Sequence, residues 1–212
     1  MKLYSYFRSS ASYRVRIALN IKGIKYDYEP VNLLKAEQRS GAYRALNPLG
    51  LLPALALDDG DILAQSLAIL EYLEESHPQP PLLPSEPLAR ARVRAMAATI
   101  ACEIQPICNI GVTDHLKATF EAGPEEITAW HQHWMPRGFI AVEEALSRID
   151  TPFASGDSPG MADICLVPQV YNARRFEVDL EPYPNIRRIS DLCNTLPTFI
   201  QAAPDKQPDS TS

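Results

Sequence analysis

Five prolines, Pro78, Pro80, Pro81, Pro84 and Pro87, fall within ten consecutive residues, and nothing else in the chain restricts its fold so strongly. Proline fixes φ and has no N–H to give to a helix or a sheet, so neither kind of element runs through this stretch. Each side must build its own layers. Charge divides at the same place: residues 1–80 hold nine basic and nine acidic side chains, whereas 81–212 hold 11 and 17 and carry the whole net charge of −6. A length of 212 residues suits two modest domains at roughly 100–200 residues per domain. The predicted organisation is a first domain over 1–80, a linker over 81–87 and a second domain over 88–203. The tail at 204–212, rich in Pro, Asp and Ser, is expected to be disordered.

Before the linker the hydrophobic pattern switches between period two and period 3.6 over short pieces. Lys2–Tyr6 reads as a strand, and Ser12 to Lys22 as a helix stopped by Gly23. Lys25–Val31 reads as a second strand and Ala36–Leu46 as a second helix, ending at Asn47-Pro48. Leu52–Leu57 and Asp61–Ala64 flank Asp58-Asp59-Gly60, a hairpin signal. A last helix starts at Ser66, which is expected to cap it, and runs to about Glu75. The order is βαβαββα. Beyond the linker Val93, Met96, Ile100 and Ile104 recur at helical spacing, as do Trp130 and Trp134. Five or six helices and no strand are expected there, with the almost wholly apolar Met161–Val170 kinked or ended early at Pro168.

Acidic groups outnumber basic ones 26 to 20, a balance that repels a phosphate backbone and argues against a nucleic-acid partner. The amino-terminal residues lack a signal-like apolar stretch, and no apolar run approaches the ~20 residues of a span. The expectation is a cytoplasmic protein with no membrane partner. The cysteines at 102, 108, 165 and 193 form no CxxC pair and do not alternate with histidine, so buried free thiols are expected and no metal site. His131 and His133, two apart, point away from one another on a helix.

The first 26 residues contain six basic side chains and no acidic one, which favours anions. Arg8-Ser9-Ser10-Ala11-Ser12 joins the first strand to the first helix, where free N–H groups and the positive end of the helix dipole converge. The hydroxyls there either cap the helix or donate to a bound anion. Phosphate fits less well, because the glycines and Lys-Ser/Thr pair of a P-loop are missing. A thiolate fits better, since a thiol pKa of ~8.5 falls well below 7.5 at a helix N-terminus. The chain has no cysteine before position 102, so such a thiolate has to arrive with a small molecule. Gln65-Ser66 forms a second anion site of the same kind, and a cis bond at Leu52-Pro53 would expose the main chain of residue 52.

These residues resemble the zeta class of the glutathione transferase superfamily, which includes maleylacetoacetate and maleylpyruvate isomerases. The resemblance rests on Tyr4-Ser5-Tyr6-Phe7-Arg8-Ser9-Ser10, Tyr13-Arg14-Val15-Arg16-Ile17-Ala18-Leu19, Ala45-Leu46-Asn47-Pro48 and Gln65-Ser66-Leu67-Ala68-Ile69. Past the linker it continues in Ile104-Gln105-Pro106, Met161-Ala162-Asp163, Leu166-Val167-Pro168-Gln169-Val170 and Arg175-Phe176-Glu177-Val178-Asp179-Leu180. It implies an α/β thioredoxin-like first domain with a mixed sheet, an all-α second domain, and a homodimer.

The resemblance further implies glutathione as cofactor, with Ser9 stabilising its thiolate and Ser10 and Ala11 beside it. Gln38 and the main chain of Leu52, before Pro53, would meet the glycyl arm and cysteinyl backbone, and Gln65 and Ser66 the γ-glutamyl end. Gln105 and Asn109 match positions where the helical domain reaches the ligand. Two departures bear on chemistry. The family's usual cysteine is Ala11 here, which argues against redox chemistry, and the cap position three residues before Asp163 is Gly160, which leaves Asp163 a folding residue. Tyr6 is the alternative thiolate donor, because some relatives use a tyrosine near this point.

The implied activity is cis-trans isomerisation of maleylacetoacetate to fumarylacetoacetate by reversible thiolate addition. A dicarboxylate substrate calls for guanidinium groups, which bind carboxylate in a bidentate fork. Arg8 and Arg175 are the candidates, with Arg174 read as a surface residue. Maleylpyruvate isomerisation, general glutathione conjugation and a non-catalytic binding role are the alternatives.

Overall fold

A computed structural model describes residues 1–210, which form two compact units. The first comprises Met1–Leu82 together with the chain from Thr195 onward, and the second Leu83–Asn194.

In the first unit four strands form one mixed sheet in the order β2-β1-β3-β4. They are β1 (Lys2–Ser5), β2 (Asp27–Pro30), β3 (Ala54–Ala56) and β4 (Ile62–Ala64). β1 and β2 run parallel with Leu3 opposite Tyr28, and β3 is antiparallel to both β1 and β4 with Leu55 opposite Leu3 and Leu63. A parallel pair needs a long crossover, and helix α1 (Ser10–Ile21) supplies it. Its C-terminus closes as the sequence predicts: Gly23 adopts φ +66°, and Ile24 N–H donates to Leu19 O at 2.9 Å.

Every residue of α1 from Ser12 to Leu19 is buried, because α1 packs on helix α3 (Ser66–Ser76) and on α10 (Pro197–Ala202) as well as carrying the crossover. Lys22 Nζ, itself buried, donates to Glu74 Oε2 and to Pro80 O, both at 2.7 Å. Glu74 Oε2 also accepts from Leu82 N–H, so the proline-rich stretch begins anchored to the first unit.

Three expectations are corrected here. The predicted helix Ala36–Leu46 is a 3-10 turn, Glu37–Arg39, followed by α2 (Gly41–Leu46). Ser40 interrupts it with extended backbone and accepts from Tyr43 N–H at 3.2 Å, the usual preference of serine for a cap over a helix interior. The second domain does not run to 203, since α10 belongs to the first unit. Nor is the tail disordered over its described part: Pro204–Lys206 is a 3-10 turn, and Gln207 and Asp209 are buried. Residues 211 and 212 of that expectation lie outside the described residues.

The second unit is helical, with α4 (Pro87–Ala98), α5 (Gln105–Ile107), α6 (Ile110–Phe120), α7 (Pro124–Leu146), α8 (Met161–Arg175) and α9 (Pro184–Cys193). Thr99–Ile104 forms a π-helical segment between α4 and α5. Gly138 accommodates Ile104, whose Cγ1 would lie 2.2 Å from a Cβ at that position. α8 continues through Pro168 to Arg175, so it neither ends early nor exposes any residue from 161 to 170. Asp163 accepts from the N–H groups of Ala154, Ser155 and Gly160 at 2.8 to 3.1 Å. It fastens the preceding loop to the start of α8, the folding role expected of it. By length and composition alone, the helical run Pro87–Phe120 reaches what a membrane span requires, a correction to the expectation that no segment does. Within that run Val93, Met96, Ile100 and Ile104 are buried.

Candidate active site

Ser9 occupies the N-cap of α1 with φ −67° and ψ 114°, and its Oγ accepts from Ser12 N–H at 3.2 Å. The two readings of this serine are therefore compatible. A hydroxyl that accepts a cap bond keeps its own proton to donate, and the first N–H groups of the helix, Ser10 and Ala11 among them, have no intrahelical partner. No acidic residue lies in the first turn. The turn is closed by Ser9 N–H donating to Tyr6 O at 2.9 Å. Arg8 is exposed, its guanidinium 4.7 Å from the centroid of the Phe7 ring, with no carboxylate partner among the described residues. Tyr6, by contrast, is buried against Phe7.

Gln38 lies in the 3-10 turn, 5% exposed, and its Oε1 has no hydrogen-bond partner among the described residues. An orphaned buried acceptor is costly unless something donates to it, so Gln38 fits a ligand N–H. Gly50 packs against it: with φ +63°, a Cβ there would lie 2.9 Å from Gln38 O. The loop that follows is held by Tyr43 Oη and Asn47 Nδ2, both donating to Leu51 O, at 2.7 and 2.8 Å. Burial pushes the Tyr43 phenol up to about 12, which keeps it a donor. Leu52-Pro53 is a cis peptide, as the sequence suggests, and Leu52 packs on the Val31, Tyr43 and Ala54 cluster.

The second candidate anion site differs from expectation in one respect. Gln65, not Ser66, is the N-cap of α3, and it makes no side-chain cap bond. Its backbone has φ +68° and ψ 114°, a conformation that costs a non-glycine residue about 1–3 kcal/mol and that concentrates at functional sites. Ser66 is buried at the first helical position, and its Oγ accepts from Arg14 Nη1 at 3.1 Å. Arg14 lies one helical turn beyond Ser10 on α1, so one guanidinium ties together the two candidate anion sites.

The remaining candidates belong to the second unit. Gln105 is half-buried at the start of α5, and Asn109 caps α6, accepting from Gly111 N–H at 3.3 Å. Arg175 is exposed at the end of α8 with its guanidinium 4.8 Å from the Phe176 centroid, and Phe176 stacks on His131 at 3.6 Å. Arg174 pairs with Asp191 at 2.7 Å, as a surface residue does. Cys165 and Cys193 are buried free thiols, Cys108 is half-buried, and Cys102 is exposed, against the expectation of burial. Among the described residues no three His, Cys, Asp or Glu side chains cluster as metal ligands would.

Sequence reasoning did not single out Arg14 for the site. The available signal was Arg14-Val15-Arg16 inside a helix with no other charged residue, because two guanidinium groups on such a helix call for fixed partners.

Residues 8–76 match the glutathione S-transferase N-terminal domain. The maleylacetoacetate isomerase of Pseudomonas aeruginosa is 50% identical over 211 residues, covering 99% of this chain and 98% of its own. The holo structure of a maleyl pyruvate isomerase, a bacterial zeta-class glutathione transferase, superposes with a TM-score of 0.96 at 47% identity, covering 99% of both chains. A maleylacetoacetate isomerase from Anaeromyxobacter dehalogenans, with glutathione bound in its active site, gives 0.88 at 46% identity over 99% of this chain and 97% of that one.

Proposed function

The chain belongs to the zeta class of the glutathione transferases, and from that premise we propose that it is a glutathione-dependent cis-trans isomerase of maleylacetoacetate. Maleylpyruvate, which shares the maleyl half, is the nearest other substrate. The observation that carries the reading is Ser9 itself, whose hydroxyl accepts the cap bond from Ser12 and so keeps its proton for an anion at the start of α1.

The residues present fit glutathione. The unpartnered Gln38 Oε1 suits a donor from the tripeptide, and the main chain of Leu52 supplies further peptide-like contacts. Ser66, accepting from Arg14, retains a hydroxyl proton for the γ-glutamyl carboxylate. When bound, glutathione supplies a thiolate that adds reversibly to the substrate's double bond and so permits rotation. Ser9 donates to that sulfur, and the first-turn N–H groups of α1, with Ser10 and Ala11, add the positive end of the helix dipole. Arg8 steers a substrate carboxylate, since it is exposed and free of an acidic partner among the described residues. The parts assigned to Gln105, Asn109 and Arg175 and the homodimer rest on the resemblance alone, and the cytoplasmic location on the sequence reading of the amino-terminal residues.

The test is to follow the loss of maleylacetoacetate and maleylpyruvate absorbance with and without glutathione. Glutathione-dependent loss supports the reading and ranks the two substrates. Turnover of neither, or turnover indifferent to glutathione, rejects it, and conjugation of neutral electrophiles alone favours a general transferase.

A further inference from the structure

The segment from α10 to Asp209 is built onto the turn that carries Ser9. Asn20 Nδ2, on α1, donates to Thr198 O at 3.0 Å. Beyond α10, Gln207 Nε2 donates to both Gln201 O and Ala203 O at 2.9 Å, folding the last residues back on that helix. This course delivers Asp209, 8% exposed, to the Phe7 backbone. Its Oδ2 accepts from Phe7 N–H at 3.1 Å and its Oδ1 from the Tyr28 hydroxyl at 2.7 Å.

Arg16 holds the same turn from the other side. Its Nη2 donates to Phe7 O at 3.0 Å, its Nη1 to Ser5 Oγ at 3.1 Å and Tyr6 O at 3.4 Å, and its Nε to Ala202 O at 2.9 Å. Arg16 is fully buried, and these acceptors are three carbonyls and a hydroxyl, none of them charged. Phe7 is thus gripped at both its N–H and its C=O. It is the second residue of the Tyr6–Ser9 turn, and its ring carries the Arg8 guanidinium. Rotation of that one residue would move Arg8 and Ser9 together, and misplacement by about 1 Å can cost on the order of a hundredfold in rate.

We propose that Asp209 is a positioning residue for the reaction, clasping Phe7 at its N–H while Arg16 holds its C=O, so that the Tyr6–Ser9 turn keeps Ser9 and the start of α1 aligned on the thiolate. The proposal deepens the glutathione site described above and rests on it. It assigns to the far end of the chain a part in activating a thiol that never touches it.

The full-length protein is compared with Asp209→Ala and Asp209→Asn. Asparagine keeps the shape, can accept from Phe7 N–H through Oδ1 and can donate to the Tyr28 oxygen. Three quantities are read: the pKa of enzyme-bound glutathione from its thiolate ultraviolet absorbance, kcat and KM separately, and deuterium exchange of the backbone over 6–10. Asp209→Ala is expected to raise the bound-thiol pKa, to lower kcat on the order of tenfold with a smaller change in KM for glutathione, and to speed exchange over 6–10. Asp209→Asn is expected to recover most of the lost kcat. A folded alanine variant with wild-type thiol pKa and kcat overturns the proposal, as does an equal loss in both variants with exchange over 6–10 unchanged. Should Asp209→Ala not fold, Tyr28→Phe, which frees one carboxylate oxygen, is expected to move the thiol pKa the same way by less, and no movement overturns the proposal. A wild-type protein without glutathione-dependent turnover defeats the isomerase reading instead, while exchange over 6–10 still tests the clasp by itself.

Discussion

Arg14 Nη1 donates to Ser66 Oγ at 3.1 Å, with both residues buried, and that bond joins α1, which begins at the proposed thiolate turn, to α3, which begins at the proposed γ-glutamyl site. Because the serine oxygen accepts from a cation, its own proton is directed elsewhere, and the guanidinium charge behind it favours an anion in front. Ser66→Ala removes an acceptor from a buried cation, which should destabilise the fold by about 1.5–3 kcal/mol. It should also raise KM for glutathione about tenfold with little change in kcat, since the γ-glutamyl end is remote from the sulfur. Urea unfolding and steady-state kinetics with varied glutathione check both halves. An unchanged KM would separate Arg14–Ser66 from ligand binding and leave it a packing bond.

Ser9 caps α1 and, in the proposed reading, also donates to the thiolate, two duties that substitutions can divide. Ser9→Ala loses the cap as well as the donor, and is expected to cost about 1 kcal/mol of stability together with a rise in the bound-thiol pKa. Ser9→Asp keeps a cap acceptor for Ser12 N–H but offers no proton when ionised and sets a negative charge beside the sulfur. Its melting temperature should stay near that of the parent while turnover falls below that of Ser9→Ala. Thermal melts paired with thiolate titration distinguish the cases. Equal activity of the alanine, aspartate and parent proteins would exclude a hydroxyl donor at this position.

The strained N-cap offers a trade in the opposite direction. Gln65 has φ +68°, a region in which glycine meets no Cβ penalty, so Gln65→Gly should relieve part of about 1–3 kcal/mol of strain. The expected result is a melting temperature equal to or above the parent's, with weaker glutathione binding because the side chain and its fixed geometry are both gone. Calorimetric titration with glutathione, beside a thermal melt, checks it. A lower melting temperature with unchanged affinity would mean that the conformation is neither strained nor functional.

The legibility of the fold follows from how local its causes are. β1, α1 and the β3–β4 hairpin were readable because Gly23, Gly60 and the alternation of apolar residues act over a few positions. Ser40 was missed as a break because Ala36–Leu46 has helix-forming composition, and only the cap bond to Tyr43 reveals the interruption. The course of the tail depends on partners some 200 residues away in sequence. Asp209 meets Phe7, and α10 returns to α1, so composition alone suggested disorder. At the candidate site, Ser9 and the cis Leu52-Pro53 bond were anticipated. The supports, Arg14, Arg16 and Asp209, were not, since a buried charge is defined by its tertiary partners rather than by its neighbours in the chain.

His131 makes the protein's stability depend on pH in a direction set by burial. It is buried, stacked on Phe176, and neither ring nitrogen has a hydrogen-bond partner among the described residues. Burial, with Arg175 nearby adding positive charge, lowers its pKa from 6.5 to about 4. The folded protein therefore keeps the imidazole neutral at pH values where the unfolded chain, with its ordinary pKa, takes up a proton. The stabilising contribution is complete above about pH 6.5 and is lost as pH falls toward about 4, by up to roughly 3 kcal/mol at 1.36 kcal/mol per unit. His131→Phe keeps the stacking surface and removes the titrating group, and it sacrifices no hydrogen bond. Urea midpoints measured downward from neutral pH should fall steeply for the parent and more gently for His131→Phe, with similar values for the two near neutrality. Parallel curves would mean that His131 takes its proton as readily in the folded protein as in the unfolded one.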